Sequence, residues 1–224
     1  MAIWITMERP TVRLYRPGYR RIKRLFDISL CLLALLFLGP MALVIALLIR
    51  LESHGPVLYI HDRIGKGGRI FKMYKFRTMH HNIARDSHRE YMKKFIHGEM
   101  PANSEVGVFK PFEANQVTKI GRVLRATSLD ELAQIINVLR GEMSIVGPRP
   151  NVVWEVEEYQ GWHKERLEVL PGITGLAQVR GRSGIPFNAI IWHDLRYIER
   201  MSLALDLKIL WWTVLSVVNR TGAQ

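Results

Sequence analysis

Cysteine is nearly absent. Cys31 is the single one in 224 residues. That excludes a disulfide framework and a cysteine-based zinc site, and it fits a reducing compartment. Acidic residues are scarce beside basic ones: 20 Asp and Glu against 32 Lys and Arg, a formal charge of +12. Such an excess points to a polyanionic partner, whether nucleic acid, anionic lipid or a phosphorylated substrate. The chain has no repeat and no reader motif or aromatic platform for nucleic acid, so no nucleic-acid partner is expected. No Gly-Lys-Ser/Thr opens a helix, so Gly65-Lys66-Gly67-Gly68 is not a nucleotide-binding P-loop. His80-His81 stands without a ligand set at usable spacing. Apolar residues make up 48% and charged residues 23%, which describes neither a disordered chain nor one wholly embedded in a membrane.

Charge is missing altogether between Ile28 and Ile49. As a straight helix that run would cross a bilayer. Two features oppose a simple crossing. Gly39-Pro40 sits in its middle, where proline removes a backbone donor and kinks or breaks a helix. Both flanks are basic, with Arg20, Arg21, Lys23 and Arg24 before the run and Arg50 and Arg63 after it, so the positive-inside rule finds no asymmetry. A hairpin with arms Ile28–Leu38 and Met41–Ile49, entering and leaving on the cytoplasmic side, satisfies both. A spanning helix stays open on these features alone.

The chain therefore divides into a basic juxtamembrane arm (1–24), a re-entrant membrane hairpin (25–51), a cytoplasmic catalytic domain (52–202) and an interfacial C-terminal helix with its tail (203–224). Val57–Arg63 and Ile70–Thr78 read as strands of a β-hairpin around the glycine-rich turn. Helices are expected over Asp86–His97, Ser128–Arg140, Val152–Val169, Pro186–Met201 and Leu203–Val218. Gly98 to Asn115 reads as a loop, and Val117–Leu124 is ambiguous. Leu203–Val218 carries Asp206, Lys208 and a Trp211-Trp212 pair, which suits a helix lying in the interface; a helix packed in a soluble core is the other reading. The fold class is α+β: a mostly helical, monotopic membrane protein with a small β-hairpin and interfacial helices.

Asp130-Glu131 opens the clearest helix. Ser128-Leu129-Asp130-Glu131 matches a capping box, with Ser128 as the cap and Glu131 reaching back. The same position lowers a carboxylate pKa and keeps it ionised, which suits a nucleophile, with a neighbouring carboxylate to hold a divalent cation. Phosphate-competent cations surround it in the sequence: Lys72, Lys75, Arg77, Arg122, Arg125, Arg149, Arg180 and Arg182. Pro148-Arg149-Pro150 is the most informative, because two fixed φ angles present one guanidinium rigidly.

The chain resembles the bacterial sugar transferases, the small monotopic phosphoglycosyl transferases. Matching stretches include Lys23-Arg24-Leu25-Phe26-Asp27, Arg63-Ile64-Gly65-Lys66-Gly67-Gly68, Tyr74-Lys75-Phe76-Arg77-Thr78-Met79, Ser128-Leu129-Asp130-Glu131-Leu132, Gly141 to Pro150, Pro171-Gly172-Ile173-Thr174-Gly175-Leu176 and Asp206-Leu207-Lys208-Ile209-Leu210. It is similar to the short form of the family, with no four-helix region before the basic arm. It departs at Ala133, where proline is common, and at Ala177, where tryptophan is common.

The resemblance implies an enzyme on the cytoplasmic face of the bacterial inner membrane. It would use Mg2+ and transfer a sugar-1-phosphate from a UDP-sugar to undecaprenyl phosphate. Asp130 would be the catalytic nucleophile that forms a phosphosugar–aspartyl intermediate. Glu131 would hold the metal, and Lys75, Arg125, Arg149 and Arg182 would bind phosphate. Membrane lipid is the expected partner, and the homo-oligomeric state is open. The alternative is a non-catalytic basic module that recruits partners to a membrane surface. The sequence names neither the sugar nor the downstream glycan.

Overall fold

The computed structural model of the chain describes residues 17–80, 86–98, 116–180 and 185–218. Residues 1–16 of the basic arm, most of the expected 98–115 loop, and Arg182 lie outside the described residues.

Helix α1 (Pro17–Glu52) is one helix of 36 residues, with Pro40 inside it. The expected break into two helical arms is not seen, since helical backbone continues through Gly39 and Pro40. Proline withholds one amide and crowds one carbonyl. The Leu- and Ala-rich turns on either side favour helix strongly enough to absorb that single defect. Lys23, Asp27, Cys31, Ile45 and Ile49 are buried along one stripe. Leu25, Leu36, Phe37, Leu43, Leu47 and Leu51 point outward, each more than half exposed. Of the described helices, α1 alone is long and apolar enough to cross a membrane.

Strands β1 (Leu58–Ile64) and β2 (Ile70–Phe76) pair antiparallel, with Tyr59 opposite Lys75. This is the expected hairpin. Its turn places Gly67 and Gly68 at φ 66° and 78°, a region that residues with a Cβ rarely enter. Next come α2 (Asp86–His97) and α3 (Lys119–Thr127). The helix expected over 128–140 is divided into a 3-10 helix (Leu129–Gln134) and α4 (Ile135–Arg140). Ser128 stands before both pieces and separates them from α3. It sits at φ 57°, where its amide closes α3 by bonding Arg125 O.

Strand β3 (Ser144–Val146) pairs in parallel with β4 (Gly172–Thr174), a contact without periodicity in so short a run. The crossover holds α5 (Val153–Glu157) and a 3-10 helix (Gly161–Glu168) in place of the single helix expected there. Extended Gln160 separates them, its amide donating to His163 Nδ1. A Cβ on Gly172 would lie 2.1 Å from Gly147 N, so β3 and β4 approach as only glycine permits. Helices α6 (Leu176–Arg180), α7 (Phe187–Glu199) and α8 (Leu203–Val218) complete the fold.

The main core gathers Val138, Met143, Val146, Ile191, Leu195 and Ile209. A smaller core gathers Ile45, Ile49, Phe76, Leu124 and Ala133. Buried charge braces the first half of α1. Lys23 Nζ meets Asp206 Oδ2 of α8 at 2.8 Å, and Tyr197 Oη of α7 lies 2.8 Å from Asp206 Oδ1. Ser144 Oγ donates to Asp27 at 2.8 Å, and Arg24 donates to the carbonyls of Val138 and Leu139. The other end of α1 is held too. Glu52 accepts the amides of Lys119 and Ile120 at the start of α3, and Arg77 donates to Ser53 O and His54 O. On α8, Trp212 lies under Arg180 and near Lys208, while Trp211 is exposed.

Removing Asp206 leaves a buried ammonium without its nearest partner, a loss on the order of 3–5 kcal/mol. Asp206→Ala is expected to lower the thermal unfolding midpoint in detergent by several degrees. An unchanged midpoint would show that α1 and α8 do not depend on this pair.

Candidate active site

Three segments far apart in sequence converge on a cleft of about 1690 Å³. The first is β2, which carries Lys75. The second is the turn after α3, which carries Asp130 and Glu131. The third is the loop after β3, which carries Arg149. Lys75 Nζ lies 2.6 Å from Glu131 Oε1 and 3.4 Å from Asp130 Oδ2. The two carboxylates retain side-chain exposures of 14% for Asp130 and 21% for Glu131, so both can meet a ligand.

The capping box is not formed. Ser128 is left-handed and makes no side-chain cap, and Glu131 turns to Lys75 instead of back to Ser128. A helix-terminal lowering of the Asp130 pKa is not found either. Burial pushes the Asp130 carboxyl above the ordinary aspartate range, against the pull of Lys75 and Arg125. Burial also opposes ionisation of Glu131, but there Lys75, Arg149 and Arg63 outweigh it and hold the carboxyl below the usual glutamate range. Neighbouring carboxyls driven in opposite directions are a recurrent mark of divided chemical roles.

Close backbone packing sets the position of Arg125. A Cβ on Gly121 would lie 2.0 Å from Thr78 O, so α3 sits directly on the end of β2. Arg125 Nε then donates to Thr78 Oγ1 at 3.0 Å, and its charge reaches Asp130. The Arg149 side chain is exposed, while the backbone beneath it is pinned. Arg166, itself buried against Asp194, donates to Arg149 O, and Glu155 accepts from Val152 N and Asn151 Nδ2.

Arg63 belongs to this cluster and was read in the sequence only as a flanking charge. Its Nη1 donates to Pro150 O at 3.2 Å, and its Nε is buried without a hydrogen-bond partner. Burial lowers its pKa to about 10, and the like charge of Arg149 adds to that. The Arg63-Ile64-Gly65 stretch was the available signal, but nothing in the spacing ties position 63 to position 149. Other candidates are engaged otherwise: Arg77 also lines the cleft but is spent on the C-terminal end of α1, and Arg180 stacks on Trp212.

Four cations, Lys75, Arg125, Arg149 and Arg63, thus line the cleft with two acidic side chains of the dyad. That local excess suits a ligand carrying several phosphate charges. Leu30 and Ala34 of α1, Ile173 of β4 and Val217 of α8 add apolar lining to the same cleft. Among the described residues no group of three or more His, Cys, Asp or Glu is gathered. A carboxylate pair alone is a poor zinc site, yet it fits Mg2+, which binds through one or two carboxylates, substrate phosphates and water.

A family model described as "Bacterial sugar transferase" matches residues 18–220. The galactosyl transferase CpsE of Streptococcus agalactiae is 38% identical over 96% of this chain and 46% of its own length. The exopolysaccharide production protein ExoY of Rhizobium meliloti is 37% identical over 93% of this chain and 90% of its own. The undecaprenyl-phosphate galactose phosphotransferase of Salmonella typhimurium is 37% identical over 91% of this chain and 42% of its own. The chain therefore spans under half of CpsE and of the Salmonella protein, and nearly all of ExoY.

Proposed function

Because the chain belongs to the bacterial sugar transferase family, we propose that it transfers a sugar-1-phosphate from a UDP-sugar to undecaprenyl phosphate. The observation that carries this reading is the Lys75–Asp130–Glu131 cluster under surplus arginine charge, in a cleft that α1 and α8 also line with apolar side chains. Such a site accommodates a diphosphate at its cations and a lipid against its apolar lining. A hexose is the favoured sugar, since CpsE and the Salmonella relative carry galactose in their names.

In this reading an Asp130 carboxylate oxygen attacks the sugar-proximal phosphorus. The phosphoanhydride bond breaks, UMP leaves, and an aspartyl–phosphosugar forms. A phosphate oxygen of the acceptor then attacks the same phosphorus, and the bond to Asp130 breaks to restore the carboxylate. Phosphoryl transfer of this kind asks mainly for positioning and charge neutralisation. Lys75 holds the dyad in place. Arg125, Arg149 and Arg63 neutralise the diphosphate, and the sequence match adds Arg182. Glu131, ionised beside Lys75, is the residue to hold Mg2+. A cation bound there would supply further charge neutralisation for the diphosphate.

The long helix fits the same setting. Lys23, Arg24 and Asp27 near its start and Ile45, Ile49 and Glu52 near its end attach to one protein body. A continuous helix attached at both ends to one body can lie along one membrane face, here the cytoplasmic face of the inner membrane. Its outward leucines meet lipid, and α8 lies at the interface.

Asp130→Asn is expected to abolish UMP release and the phosphosugar adduct seen by intact-protein mass in the parent, whose own release stops when divalent metal is chelated. Retained turnover in the variant would remove Asp130 as nucleophile. Since burial raises the Asp130 pKa and the attacking form is the anion, the rate should fall on acidification with a midpoint above the 3.8 of an ordinary aspartate. A pH profile flat down to pH 4 would contradict this. Cysteines placed at positions 20 and 55 of the Cys31→Ser protein should both be labelled from the cytoplasmic side only; labelling from opposite sides would make α1 a spanning helix.

A further inference from the structure

Among the described residues, the two-stranded ribbon that carries Lys75 has an edge with no third strand. Ribbons of two strands are marginal on their own, and a one-residue slip would turn Lys75 to the other face. One side chain occupies that edge. Asn137, on α4, is fully buried. Its Oδ1 accepts from Tyr74 N at 3.1 Å, and its Nδ2 donates to Lys72 O at 2.7 Å. These are the amide and carbonyl that flank Met73. A residue of a parallel strand bonds its neighbour in the same way, through one N–H and one C=O on either side of a single residue.

The amide is itself immobilised. Nδ2 also donates to Glu142 Oε2 at 2.7 Å, and Asn137 O accepts from Glu142 N and Met143 N. Tyr74, whose amide is held, is the residue next to Lys75. The 3-10 turn carrying Asp130 and Glu131 runs directly into α4. One short helix therefore connects covalently to the dyad and, through Asn137, to the strand that bears the lysine.

We propose that Asn137 is a positioning residue that stands in for a missing β-strand, locking β2 in the register that brings Lys75 onto Asp130 and Glu131. The catalytic part of this inference rests on the transferase reading above; the hydrogen-bonding part does not. Serine or alanine cannot reproduce the role, because one planar amide must supply a donor and an acceptor at fixed separation. Displacement of Lys75 by an ångström is enough to cost on the order of 100-fold in rate.

The test combines two measurements on the full chain in detergent. Hydrogen–deuterium exchange at the Tyr74 amide should quicken in Asn137→Ala, and the rate of UMP release should fall by roughly 100-fold. A double-mutant cycle with Lys75→Met, read by long time courses of UMP release, then separates positioning from general damage. If Asn137 acts through Lys75, Asn137→Ala costs little more once Lys75 is gone. An equal fold-loss in both backgrounds would overturn the proposal, as would unchanged Tyr74 exchange. Should Asn137→Ala not fold, Asn137→Gln, which sets the amide one methylene further out, should show the same pattern at smaller amplitude. A Lys75→Met protein as active as the parent would instead count against the site reading, while the exchange result would still judge the strand-edge role.

Discussion

Two carboxylates on adjacent residues, drawn partly out of water, need a cation between them. Lys75 is that cation, and much of the local architecture serves to deliver it. The hairpin turn at Gly67 and Gly68 brings β2 back across the molecule. Gly121 lets α3 press onto the end of that strand, so that the turn bearing Asp130 and Glu131 arrives at the height of Lys75. The lone ammonium is shared unequally, at 2.6 Å from Glu131 and 3.4 Å from Asp130. Unequal sharing, added to burial, drives the two pKa values in opposite directions. One carboxyl is firmly anionic; the other is less stabilised as an anion and correspondingly more nucleophilic.

Arginines form a second tier whose backbone is better ordered than their side chains' exposure suggests. Arg149 reaches into solvent, but Arg166, Arg63 and Glu155 hold the loop that carries it. A guanidinium on a pinned backbone is preorganised for a phosphate and loses little freedom on binding. The same loop bonds back to the ribbon, since Ile64 N donates to Asn151 O. The Arg149 loop and the lysine-bearing ribbon are thus parts of one unit.

The membrane-facing elements are joined to that unit by buried charge, not by apolar packing alone. Lys23, Asp27, Asp206, Tyr197 and Ser144 link α1, α8, α7 and β3 in a single network. Apolar contact is non-directional and would tolerate sliding. Charged hydrogen bonds fix register, and so fix where α1 and α8 stand against the rest of the fold.

Local features were legible in the sequence. The glycine-rich turn, the limits of α2 and α8, and the apolar stretch within α1 follow from residues a few positions apart, because turns and helical periodicity are short-range effects. Asp130, Glu131, Lys75 and Arg125 were identifiable from the family's ordered motifs. The capping box was a misreading with a clear cause: Ser128 fits the pattern, but the left-handed turn that ends α3 uses it otherwise. Arg63 and Asn137 carried no readable role, since each acquires one from a partner dozens of residues away. By itself, then, the chain's order of residues determined which charges, glycines and apolar runs exist and what each can do locally. Only the folded arrangement decided which charges face one another, which carboxyl is raised and which lowered, and that both ends of one apolar helix answer to a single body. Electrostatic energy depends on distance and burial, and neither is written in sequence separation.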